Sequence, residues 1–100
     1  WLLFKLGNPI KKEIMKLSIE LTLTPLKEDF VPTIKSFIQE LRTLGFTIKE
    51  NPLSTQIYGD FDVVMEELVP LIRKTFQEEK AVMLHLKLVK GDRSDYEPDF

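Results

Sequence analysis

Asn51-Pro52-Leu53-Ser54-Thr55-Gln56-Ile57-Tyr58-Gly59-Asp60-Phe61-Asp62 holds a strand breaker, a hydroxyl pair, a short β-prone run and a Gly-Asp in one turn of the chain. Asn-Pro cannot continue a strand ladder, so it ends the segment before it. Thr55 to Tyr58 then reads as a strand, and Asp60 as the cap of the helix that follows. The stretch divides the chain into two similar halves and carries its densest set of polar side chains.

Upstream, Met15 to Thr24 alternates strictly, with Leu17, Ile19, Leu21 and Leu23 on one side and Ser18, Glu20, Thr22 and Thr24 on the other. That is a half-buried strand. Pro25 ends it, and Asp29 is expected to cap a helix whose first turn tolerates Pro32, where the missing N–H has no intrahelical partner. Ile34, Phe37, Ile38, Leu41 and Leu44 follow at helical spacing, and Gly45 supplies the stop. Phe46 to Glu50 alternates again, with Phe46 and Ile48 inward.

Downstream, Val64, Met65, Leu68, Ile72 and Phe76 keep a helical period through Pro70, where a kink rather than a break is expected. Ala81 to Lys90 is the last strand, with Val82, Leu84, Leu86 and Leu88 inward and Met83, His85 and Lys87 outward. From Gly91 the chain reads as a solvated acidic tail. The order strand, helix, strand, strand, helix, strand is the ferredoxin-like βαββαβ arrangement of the α+β class. It predicts a four-stranded antiparallel sheet with two helices on one face. The opposite face then carries Ser18, Glu20, Thr22, Thr24, Thr47, Lys49, His85 and Lys87.

One hundred residues fit one domain, expected over 15–100. Residues 1–14 are expected to be an extension upstream of a natural start at Met15, an over-called start or an expression remnant. If native, they form an arm or edge strand. Their apolar opening is too short to span a bilayer and lacks a small-residue cleavage site. Without cysteine there is no disulfide framework and no thiolate chemistry, which is compatible with a cytoplasmic location. A net charge of -2 argues against a general nucleic-acid binder. With His85 as the only histidine, no metal site is expected. Asp60 and Asp62 are read as helix-start residues rather than an acid/base pair. No catalytic constellation is present, and no enzyme activity is expected.

The strand ending Leu23-Thr24-Pro25-Leu26, the helix through Ile34 and Leu41, the central stretch and Val64-Met65 together resemble the YkoF-like family of small thiamine- or hydroxymethylpyrimidine-binding proteins. The resemblance covers Met15 to about Asp92, and the central motif matches in order and spacing without gaps. Leu53 departs from it conservatively, at a position where methionine is also common. The resemblance implies a ferredoxin-like domain that binds the pyrimidine part of thiamine as a ligand, not a cofactor. It also implies a homo-oligomer built through the sheets, a tetramer as a dimer of dimers, with the pocket near a subunit interface. Carried to matching positions, Ser54 and Thr55 are hydroxyl contacts and Gln56 a neighbouring amide. Thr22 and Glu20 are added from their place on the adjoining strand face, not from the motif. The plainer reading of Ser54 and Thr55 is a turn that satisfies its own backbone.

The fold alone decides no function. An RNA-binding surface would need a basic, aromatic signature on the third strand, which Thr55-Gln56-Ile57-Tyr58-Gly59 is not. An acylphosphatase-like site would need an early arginine, and the first is Arg42. The competing reading is an ACT-like regulatory or structural oligomer that senses another small metabolite. A module without any small ligand is the third.

Overall fold

The computed structural model describes residues 14–99. Residues 1–13, on which most of the expected extension falls, lie outside the described residues. The elements run in the order β1 (Lys16–Pro25), α1 (Val31–Arg42), β2 (Thr47–Glu50), β3 (Thr55–Asp60), α2 (Phe61–Glu78) and β4 (Val82–Lys90). The strands form one antiparallel sheet in the order β2-β3-β1-β4, the ferredoxin-like topology that the element order implies.

Strand β1 is central. Leu17, Ile19, Leu21 and Leu23 bury their side chains against the helices, while Glu20, Thr22 and Thr24 are half-buried on the other face. Ser18 breaks the alternation at 6% exposed, although it points away from the helices. Its cover comes from the tail, described below.

Helix α1 lays Phe37 and Leu41 into the core, with Leu44 packed behind them. Its cap is Phe30, not the expected Asp29: Phe30 is already in the right-handed helical region, and no side chain caps the end. An Asp cap needs extended backbone one residue before the helix, and Asp29 stands one residue too early. Pro32 occupies the first turn as expected. Gly45, at φ +81°, turns the chain out of the helix, a conformation only glycine takes freely.

Strand β3 runs two residues beyond the expected Tyr58, so Gly59 and Asp60 belong to it. Asp60 still caps α2, its carboxylate accepting from the Asp62 N–H at 2.9 Å. Helix α2 continues through Pro70. Both Pro70 and Glu66, whose carbonyl loses its donor, are exposed, so the missing bond falls on the solvent side of the helix. The buried stripe is Val64, Leu68, Leu71 and Thr75, with Met65 and Ile72 at its edge. Phe76, expected in the core, is 48% exposed, because the stripe is centred one residue earlier in the last turns. Of the β4 side chains expected inward, Val82 and Leu84 pack on the core. Leu86 and Leu88 remain 41% and 45% exposed, on an edge strand the helices do not fully cover.

Candidate functional site

On the face away from the helices, register lines up the polar side chains in rows. Lys49, Gln56, Glu20 and Lys87 are successive cross-strand partners over all four strands. The row beside it runs Thr47, Tyr58, Ser18 and Val89, and on the other side Thr22 faces His85. Neighbouring strands are about 4.8 Å apart, so the side chains of a row stand close enough to contact one flat molecule together.

Ser54, just before β3, ties this face together. Its hydroxyl donates to the Glu20 carboxylate at 3.0 Å and accepts from the Gln56 amide nitrogen at 2.9 Å. All three are half-buried. The Asn51-Pro52 turn sets the geometry: the Asn51 side-chain oxygen accepts from the Leu53 and Ser54 N–H groups at 2.9 and 3.0 Å, and the Asn51 N–H donates to the Ser54 carbonyl at 3.1 Å. An Asn that binds its own backbone two residues on is the expected occupant of such a turn.

Thr55 is not on this face. It pairs with Leu21, points toward the helices and is 7% exposed. Adjacent strand residues point to opposite sides, so Thr55 does not join Ser54 on the open sheet face. They meet instead at a cavity of about 170 Å³ at the end of the sheet, which Thr22, Ser54 and Thr55 line together with Ile34, Phe37 and the Asn51–Leu53 turn. Pockets for drug-sized ligands are roughly 300–1,000 Å³, so this space suits a single ring. Thus Glu20, Ser54 and Gln56 form one hydrogen-bonded cluster, with Thr22 on the same face beside it. Thr55 touches the site only from the helix side.

The tail is not simply solvated. Gly91, at φ +103°, turns the chain back over the row of Ser18 and Tyr58. The Ser18 hydroxyl donates to the Gly91 carbonyl at 2.7 Å and accepts from the Arg93 N–H at 2.9 Å. The Lys49 ammonium donates to the Ser94 carbonyl and stands 5.7 Å from the Tyr58 ring centre. Hydrogen bonds from Ser94, and then the charges of Lys16 and Lys49, hold the Asp92 carboxyl below its usual range. Sequence reasoning missed Ser18 and Lys49 as tail anchors; the one available signal was a serine at a central-strand position. Among the described residues, no cluster of three His, Cys, Asp or Glu side chains could hold a metal ion, and no helix is long and apolar enough to cross a membrane.

Three solved structures share this architecture. A Streptococcus pneumoniae protein is 30% identical, with a TM-score of 0.71 over 78% of this chain and 89% of its own. A proposed thiamine biosynthesis/salvage protein from Thermotoga maritima is 24% identical, with a TM-score of 0.67 over 73% of this chain and 81% of its own. A hypothetical protein from Methanocaldococcus jannascii is 23% identical, with a TM-score of 0.63 over 82% of this chain and 84% of its own. The last two likenesses speak for the fold. No curated protein matches the chain. The model of the YKOF-related family matches residues 16–92, which takes in every element from β1 to β4 and the turn that carries Ser54. The chain belongs to the YKOF-related family.

Proposed function

We propose that the protein is a non-catalytic binder of thiamine or its hydroxymethylpyrimidine part, held on the open sheet face beside Ser54, near where copies of the chain meet. The observation that carries this reading is the Glu20–Ser54–Gln56 cluster, which sets an acceptor carboxylate and an amide side by side on a half-buried surface. An aminopyrimidine presents an amino donor next to a ring-nitrogen acceptor. A glutamine amide matches that pair with two parallel hydrogen bonds, as it does on the edge of adenine. Glu20 accepts from the amino group, Ser54 orients both partners, and Thr22 closes the edge. Thr55 lines the adjoining cavity. A cationic thiazolium is favoured by the Glu20 charge; the Tyr58 ring already carries the Lys49 ammonium.

Family membership and the name of the Thermotoga maritima relative support thiamine chemistry. A face with exposed Met83 and Val89 among its polar rows supports burial against another copy, as a dimer or a tetramer built from two dimers. A cytoplasmic location fits a chain without cysteine.

Thermal unfolding tests the reading. A ligand at a hundredfold excess over its Kd stabilises the native state by about 2.7 kcal/mol. For a domain of this size that raises the Tm by roughly 10 °C or more. No shift with thiamine or hydroxymethylpyrimidine overturns the proposal, and a shift with amino acids alone favours the ACT-like regulatory oligomer. Turnover of thiamine or its phosphates by the purified protein overturns the non-catalytic part.

A further inference from the structure

We propose that the tail segment 91–94 is a fixed strap that holds the Lys49 ammonium away from Glu20, and so keeps the recognition carboxylate open to ligand. Lys49, Gln56 and Glu20 lie in one cross-strand row. Two strand spacings put the backbones of Lys49 and Glu20 roughly 10 Å apart, within the combined reach of the two side chains. Lys87, opposite Glu20 on β4, is already one cation beside that carboxylate, and a free Lys49 ammonium competes with a ligand for it as a second. Here it does not: Lys49 is turned the other way, onto the Ser94 carbonyl and over the Tyr58 ring. The strap can hold it there because it is itself anchored. Ser18, buried beneath it, bonds both the Gly91 carbonyl and the Arg93 N–H. The Asp92 carboxylate accepts from the Ser94 N–H at 2.9 Å and closes the turn that presents the Ser94 carbonyl. Lys49, Ser18 and Ser94 are therefore positioning residues, acting on the ligand through Glu20.

This inference rests on the thiamine-site reading, and two readouts separate their failures. The first is thiamine affinity by calorimetry for the full chain, for the chain without residues 92–100, and for that shortened chain carrying Lys49→Met. Removing the strap weakens binding roughly fivefold, the equivalent of one surface ion pair competing with the ligand. Lys49→Met in the shortened chain restores it. The second readout needs no ligand: a water-soluble carbodiimide condenses an amine with a neighbouring carboxyl, with loss of water, and mass spectrometry locates the amide. The Lys49–Glu20 amide forms in the shortened chain and in full-length Ser18→Ala, and not in the unaltered protein. Equal affinity with and without the strap, failure of Lys49→Met to restore binding, or the same crosslink in all chains overturns the proposal. If thiamine does not bind the full chain, the functional reading falls and the crosslink decides this one. If the shortened chain does not fold, Ser18→Ala decides it.

Discussion

Gly59→Ala perturbs the joint between the site strand and helix α2, and its effect can be worked from the coordinates. A Cβ at position 59 stands 2.9 Å from Val64 Cγ2 and 3.7 Å from Phe46 Cδ1. Carbon atoms pack best about 3.5–4.0 Å apart, so the first contact needs more than half an ångström of relief. Val64 cannot easily give it, since it is 1% exposed and β-branched with a stiff χ1. Nor can the start of the helix, held by the Asp60 cap and by the Phe61 N–H bonded to the Met15 carbonyl at 2.8 Å. Overpacking of this kind costs about 1–3 kcal/mol. Against it stands about 0.4–1 kcal/mol from the lower entropy of an unfolded chain with alanine, available because the φ of Gly59 is not positive. The net is about 0–2.6 kcal/mol of lost stability, a Tm lower by up to roughly 20 °C. Urea unfolding of Gly59→Ala, Val64→Ala and the pair gives the double-mutant cycle, in which the pair is expected to be less damaging than the sum by about 1 kcal/mol or more. A clearly stabilising Gly59→Ala, or strict additivity, refutes the packing described for this joint.

Other outcomes follow from the same coordinates. Ser54→Ala removes two half-exposed hydrogen bonds that water can replace, so stability falls by no more than about 1 kcal/mol while the thiamine-induced Tm shift is lost; a larger loss of stability with binding intact makes the serine structural. Leu68→Ala, at a fully buried position, costs about 2–5 kcal/mol in chemical denaturation, and Phe76→Ala less than about 1 kcal/mol. The strap is expected to loosen in acid. Asp92 has its folded pKa depressed by Ser94, Lys16 and Lys49, so its contribution is complete above the ordinary value of 3.8 and is lost as the pH falls below that. Hydrogen exchange at the Arg93 amide, corrected for intrinsic rates, should lose protection in that window and in Asp92→Asn at neutral pH; protection independent of both contradicts the strap geometry.

Much of the fold is written in local pattern. The alternation from Leu17 to Leu23 and the Phe37–Leu41 stripe are enough to set β1 against α1, because period alone tells which side is buried. The errors fall where nonlocal packing decides. Phe76 and Leu71 both fit a helical period, and only the position of the sheet beneath selects Leu71. Leu86 and Leu88 read as core but lie on an edge strand beyond the helices. The Glu20–Ser54–Gln56 cluster is legible in part: Glu20, Thr22 and Gln56 share a face by their strand positions, and Ser54 joins them through its turn. Thr55, which the resemblance pairs with Ser54, lies on the helix side, where a strand's two-residue period sends it, and lines the adjoining cavity with Ser54. The strap was not legible, since the bonds from Ser18 to Gly91 and Arg93 join residues at opposite ends of the chain.

Whether Glu20 holds the ligand is decided by calorimetric titration of thiamine into the full chain and into Glu20→Gln. Saturable binding to the full chain, weakened at least tenfold by a change that removes only the carboxylate charge and one acceptor, is the predicted result. Binding that Glu20→Gln leaves unaltered, or the absence of any heat with the full chain, contradicts it.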